Sequence, residues 1–369
     1  MKITKLDVIP VEVELPEKFS GSAYSMESRA TLVTQLHTDE GVVGVTYNGD
    51  EVHTQHEIAR IMQEELFPLI EGRDPLMVEQ MWHRMLPVTF DILRDRKLVI
   101  MAMSALDSAL WDIVGKAAQM PLFQIWGAKR SELPIVAIGG YYKRSLTQLA
   151  EEVDYLRGLG LGGCKMKVGG AAPVEDAARF MAMADAADDD FMLMADANQG
   201  YTLHQALEFL DNIDRRKLTW FEEPVRWYHD KTWMRDVRMV GGVRVAAGQS
   251  EISRQGVREL LELGAIDVCN FDASWAGGPT EWRRVEGMCS AYGVQMAHHE
   301  EGQISAHLLA SSADAGPVEV FAPARDPLVW AIHAHGLQAK DGMYSVPTAP
   351  GLGLDLDWDW IEAHRVDVA

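Results

Sequence analysis

Downstream of Leu133-Pro134 the chain alternates strictly between short apolar strands and helical runs, and this regularity limits the fold more than any other feature. The strand-like segments are 135–140, 164–168, 191–197, 218–224, 243–248, 267–272, 294–298 and 318–321. Helical periodicity lies between them, for example at 145–159, 202–213, 253–263 and 279–292. Eight β/α steps of roughly 25 to 30 residues each are what a closed barrel of eight parallel strands requires. An open doubly wound sheet would carry a glycine-rich phosphate turn after its first strand, and this sequence has none.

The first third is organised differently. Residues 2–15 and 31–48 read as strands, the second region broken by a turn at Asp39-Glu40-Gly41, and Glu17 to Arg29 reads as a polar loop. Helical segments follow near 54–70, 76–87 and 98–117. The expected fold class is therefore α/β, a (β/α)₈-type barrel with an N-terminal α+β capping domain. Residues 1–128 form the cap, 129–340 the barrel, and 341–369 a C-terminal segment that packs back on the cap.

With 55 acidic against 34 basic residues the formal charge is -21, which repels nucleic-acid phosphates and anionic membrane surfaces. No nucleic acid and no membrane is expected as a partner. The same charge repels a carboxylate substrate, so such a ligand needs a local cluster of lysine or metal. Three cysteines, Cys164, Cys269 and Cys289, fit neither a disulfide framework nor a zinc spacing. The N-terminus alternates like a strand, and no stretch reads as a membrane span, so a cytoplasmic location is expected.

In such a barrel the active site lies at the C-terminal ends of the strands. Lys165 and Lys167 end the second strand, Asp196 and Asn198 the third, and Glu222 and Glu223 the fourth. Gln249, then Glu251, follow the fifth, Asp272 ends the sixth, His298 and His299 the seventh, and Glu319 lies on the eighth. A single charge past a strand is usually a solvated loop residue or a cap, but seven consecutive strands with such groups are not explained that way. Asp196, Glu222 and Gln249 are spaced one β/α unit apart. Their hard oxygen donors, with room left for water and substrate, suit Mg²⁺.

Lys165 and Lys167, two apart on a strand, point to one side, and a buried lysine beside a metal and a second cation is expected to have a lowered pKa and to act as a base. Adjacent strand residues point to opposite sides, so at most one of His298 and His299 faces substrate, and Asp272 on the neighbouring strand is a partner that would fix its tautomer. Tyr24 in the 17–29 segment and Tyr141 at the barrel mouth are candidates for substrate contact, along with Phe19, Met26 and Tyr47.

Together these residues resemble the enolase superfamily, specifically its mandelate racemase subgroup, over nearly the whole chain. The resemblance rests on CKMKVG, MADANQGY, WFEEP, NFDASWAGG, HHEEGQISAHLLA, the later Glu319, and the stretch at 103–128 that joins cap to barrel. It implies Asp196 and Glu222 as metal ligands, Lys167 as the base on one face and His299, paired with Asp272, on the other. It further implies Lys165 and Glu319 at the substrate carboxylate, with Asn198 supporting the metal site. The third ligand in the subgroup is usually a glutamate, whereas AAGQSE places Gln249 there, so either Gln249 or Glu251 completes the set. His298 is assigned a neighbouring or substrate-contact role. The implied reaction is Mg²⁺-dependent removal of the α-proton of a small hydroxy carboxylate, as dehydration of an acid sugar. Racemisation or epimerisation, lactone cycloisomerisation, or a barrel that binds without catalysis are the alternatives, and a homo-oligomer is implied.

Overall fold

A computed structural model describes residues 1–49 and 52–366. The chain opens with a three-stranded antiparallel sheet, β1 (Ile3–Ser20), β2 (Ser25–Thr38) and β3 (Val43–Asn48), in the order β1-β2-β3. Its apolar residues, among them Ile3, Leu6, Leu32 and Leu36, pack on a 23-residue helix, Arg96–Ala118. Asp95 caps that helix by accepting a hydrogen bond from the Lys97 amide at 2.8 Å.

Two expectations need correction here. The segment 17–29 is mostly strand, with Phe19 paired to Met26 and Ser20 to Ser25 beyond a register irregularity after Glu14. Polar side chains say little about backbone pairing at a hairpin tip, where Phe19 and Met26 turn toward the barrel. Secondly, Arg96–Ala118 is long and apolar enough to cross a membrane by length and composition, although 78% of its apolar window is buried inside the protein. It is the core helix of the cap.

The barrel strands are β4 (Glu132–Gly139), β5 (Gly163–Lys167), β6 (Met192–Asp196), β7 (Phe221–Glu222), β8 (Val245–Ala247), β9 (Val268–Cys269), β10 (Gln295–Met296) and β11 (Val318–Phe321). Each pairs in parallel with the next from β4 to β10, and β11 pairs with β4. A bridge between Met296 and Ala315, just before β11, closes the ring. Val136, Met194, Trp220, Ala246, Val268 and Ala297 fill the interior as an apolar plug, so the polar strand ends stand on a dry floor.

After the barrel, β12 (Ala339–Lys340) and β13 (Met343–Ser345) form a hairpin that pairs antiparallel with β4. The tail then reaches the cap, where Leu352 donates to Asp112 and Arg365 bridges Val11. The end of that segment, 367–369, lies outside the described residues. Cap and barrel are joined beside the strand ends. Ser104 accepts from the Gly277 amide at 2.7 Å, and Asp107 accepts from both the amide and hydroxyl of Thr280. Gly278 has φ +81°, and a Cβ there would lie 2.4 Å from an Asp107 oxygen, so only glycine allows the helix to sit this close.

Candidate active site

Parallel register sets the first row of side chains. Lys167 on β5 is paired with Asp196 on β6, and Asp196 with Glu222 on β7, so the three groups stand side by side. Lys167 Nζ lies 2.6 Å from Asp196 Oδ2. Lys165, two residues earlier and on the same side, donates to Glu222 Oε1 at 2.7 Å and to Glu319 at 2.8 Å. All five side chains are almost fully buried. Trp220, from the plug below, donates to the other oxygen of Glu222 at 3.1 Å.

Charge in this row is one-sided, because three carboxylates face two ammoniums. Burial works against the Lys167 ammonium, but Asp196 outweighs it and holds the pKa above the ordinary lysine value. A carboxylate sits directly on the amine and sets this direction, whereas the lowering expected from the sequence is that of an amine beside a bound cation. Lys165 is likewise raised, burial being overcome by Glu222, Glu319 and Asp196. Burial, with Asp196 and Glu319, pushes Glu222 up to about 8 in spite of Lys165.

The excess of carboxylate is the chemistry a divalent cation would meet. Among the described residues no three His, Cys, Asp or Glu side chains gather as a closed metal-holding group. The donors nearest the row are hard oxygens. Asn198 Oδ1 is buried without a hydrogen-bond partner, while its amide nitrogen donates to Asp196 at 3.1 Å. Gln249 is buried on the next strand end; its Oε1 accepts from Asn270 at 3.1 Å and its Nε2 lies 3.4 Å from Glu223. Two carboxylates and neutral amide oxygens, with sites left for water and substrate, fit Mg²⁺.

Glu251 is placed elsewhere. It pairs with Lys231 at 3.3 Å, because the turn after Gln249 carries it to the outer helices. The carboxylate beside Gln249 is Glu223, held by Ser250 Oγ at 2.5 Å and by Gln199 Nε2 at 3.3 Å. Its backbone has φ 36°, a conformation that costs energy for a non-glycine residue and lets it follow Glu222 yet stay inward.

On the other side of the cavity, His299 Nδ1 lies 2.9 Å from Asp272 Oδ2, and Asp272 Oδ1 accepts from both the amide and hydroxyl of Ser274 at 2.7 Å. Burial disfavours the imidazolium, but Glu300 and Asp272 prevail and raise the pKa to about 9. His298 faces away. Its Nδ1–H donates to the His299 carbonyl at 2.8 Å, its Nε2 accepts from the Ala273 amide at 3.0 Å, and its ring stacks on Trp282. With both nitrogens committed to backbone it has no group left for a ligand.

A cavity of about 280 Å³ brings the two sides together. It is lined by Lys167, Asn198, Gln249 and His299, by Tyr24, Phe19 and Met26 of the cap, and by Arg29, Trp275, Glu300 and Phe321. Tyr141 is not part of the lining. It is 1% exposed and packs behind Phe19 with ring centroids 4.4 Å apart. Tyr47 is buried away from this cavity and shares a 2.8 Å hydrogen bond with His333. Arg29, Trp275 and Glu300 escaped the sequence reading. Glu300 was in view next to the histidine pair, but its partner Arg29 is 271 positions away and no local pattern links them.

Residues 4–127 match the mandelate racemase / muconate lactonizing enzyme N-terminal domain, and residues 148–360 the enolase C-terminal domain-like family. The structure of a mandelate racemase/muconate lactonizing enzyme from a marine actinobacterium, in complex with magnesium, is 47% identical over 99% of each chain, with a TM-score of 0.93. D-galactarolactone cycloisomerase of Agrobacterium fabrum is 29% identical over 99% of each chain. Arabinonate dehydratase of Saccharolobus solfataricus is 27% identical over 87% of each. Two domain matches that together span cap and barrel, and a 47% identical structure over the full length, make this chain a member of the mandelate racemase/muconate lactonizing enzyme family of the enolase superfamily.

Proposed function

We propose that this chain is a Mg²⁺-dependent enzyme that removes the α-proton of a small hydroxy carboxylate, and that it dehydrates an acid sugar to a 2-keto-3-deoxy acid. The observation that carries the reading is one cavity with a lysine on one strand end and a carboxylate-held histidine on another. Asp196, Glu222 and Gln249 would hold the cation, with Glu223 as the neighbouring carboxylate. When bound, it adds positive charge where the substrate carboxylate gains electron density.

In this reading Lys167 acts as the neutral amine, its ammonium giving up a proton to solvent once Asp196 serves the cation, and Nζ then takes the α-proton. The charge left on the carboxylate oxygens is stabilised by the Lys165 ammonium, which Glu222 and Glu319 hold in place. His299, charged at neutral pH, gives its Nε2 proton to the departing β-hydroxyl, which leaves as water, and the enol then becomes the 2-keto acid. The Asp196 carboxylate that holds the Lys167 ammonium is the same group that would serve a cation, so the two compete for it. Phe19, Met26, Trp275 and Phe321 keep bulk water from the reacting carbons. Buried free thiols at Cys164, Cys269 and Cys289 suit a reducing compartment and hence the cytoplasm.

Kinship with a lactone cycloisomerase supports a second reading, in which a ring is isomerised with no net loss of water. Racemisation of a 2-hydroxy acid is the third. Screening acid sugars and their lactones with Mg²⁺ separates them. Release of 2-keto acid supports dehydration, conversion of a lactone without it supports cycloisomerisation, and inversion without it supports racemisation. A protein that in ²H₂O exchanges no α-hydrogen of any of them is not an enzyme of this type.

A further inference from the structure

The Glu300 carboxylate occupies the remaining side of the His299 ring. Its Oε1 lies 3.3 Å from His299 Nε2, while Nδ1 on the opposite edge is held by Asp272. The Nε2 contact is an ion pair without the alignment of a hydrogen bond, so the ring N–H keeps a direction of its own. Glu300 is itself fixed. Arg29, from β2 of the cap, binds Glu300 Oε2 at 3.0 Å and Asp326 at 2.8 Å, and its guanidinium lies 4.6 Å from the Phe321 ring centroid. Glu300 and Glu301 both have left-handed backbones, φ 48° and 51°, and Glu301 accepts from the Gly49 amide of the cap at 2.9 Å. Two consecutive strained residues are thus tied to the cap just after the histidine.

We propose that Glu300 is a positioning residue for His299: a second carboxylate, clamped by Arg29 of the cap, that favours the imidazolium and leaves its Nε2–H for the substrate. This deepens the dehydratase reading and rests on it for the role of that proton. An imidazolium is a competent acid and a poor base near neutral pH, so the arrangement directs this face toward protonating a leaving group rather than abstracting a proton. Because the clamp comes from the cap, the acid is fully set only with the cap in place.

The charged groups around the ring are Asp272 just after β9, Lys165 from β5, Glu223 after β7, and His298 and Glu300 on its own segment. Lys165 opposes the imidazolium, and the carboxylates favour it. Its pKa of about 9 agrees with the geometry.

The test needs no substrate. In protein labelled with ¹⁵N at histidine, the His299 signal is assigned by its loss in His299→Asn and followed through a pH titration. Glu300→Gln, which keeps the shape and removes the charge, is expected to lower the His299 midpoint by about one unit, roughly a tenfold change in the protonation constant. Glu300→Asp is expected to fall between the two. An unchanged midpoint in folded Glu300→Gln overturns the proposal. If that variant does not fold, Glu300→Asp decides: a midpoint between about 6.5 and the wild-type value supports the proposal, and the wild-type value overturns it. A failed acid-sugar screen beside a shifted midpoint would remove the dehydratase reading and leave the Glu300–His299 coupling standing.

Discussion

Lys167 Nζ and Asp196 Oδ2 stand 2.6 Å apart, each side chain almost wholly out of solvent, and the proposed reaction needs the first free for substrate and the second for a cation. A buried ion pair with one member removed leaves an uncompensated charge. Lys167→Met is therefore expected to lower metal-free stability by about 3 kcal/mol or more, and Mg²⁺ to recover much of the loss by giving Asp196 a new partner. Urea unfolding with and without Mg²⁺ measures this. Equal Mg²⁺ stabilisation of wild type and variant would show that lysine and metal do not compete for Asp196.

Metal affinity should respond to the row and not to Glu251. Glu222→Gln is expected to weaken Mg²⁺ binding by about tenfold, and Gln249→Glu to keep or tighten it by restoring a negative charge. Glu251→Gln should leave it unchanged, because that side chain faces Lys231. Calorimetric titration of the three variants checks the assignment, and a loss on Glu251→Gln would mean that the turn after Gln249 rearranges around the metal.

The pH dependence follows from His299. Its pKa is raised in the folded protein, so the folded state holds the proton more tightly than the unfolded chain between about 6.5 and about 9. The associated stability is fully present below about 6.5 and is lost as pH rises through about 9. A reaction that uses His299 as an acid should decline over the same upper limb. Asp272→Asn, by removing a carboxylate from Nδ1, is expected to move that limb to lower pH, which a pH–rate profile of kcat/KM detects.

His299→Asn separates the reaction types. For a substrate whose α-hydrogen faces Lys167, a dehydratase so altered should still exchange that hydrogen with solvent deuterium while forming at least a hundredfold less 2-keto acid. A racemase so altered would exchange one enantiomer without inverting it. Mass spectrometry of recovered substrate, together with a keto-acid assay, distinguishes these outcomes. Should neither His299→Asn nor Lys167→Met change any activity found, the roles assigned to both residues would be wrong.

The sequence by itself determined the barrel, the cap and the polar residues at or just past the strand ends, although β8, β9 and β10 stop one to three residues earlier than their apolar runs. Strand and helix periods are local, and in a parallel ladder register carries Lys167, Asp196 and Glu222 to one row once the strands are known. The one-unit spacing was enough to point to the same residues.

Tertiary structure alone decided which neighbour of a strand end turns inward. Glu223 and Glu251 are both acidic residues just past a strand; a left-handed backbone keeps the first inside and a turn carries the second out to Lys231. Local sequence does not distinguish them. Charge states were also hidden, since the Lys167 pKa depends on how far an ammonium lies from one carboxylate, and a fraction of an ångström in a buried site outweighs residue type. Hidden most of all was the clamp on His299, because Arg29 and Glu300 meet only when the cap closes over the barrel, and a contact across 271 residues leaves no local pattern to read.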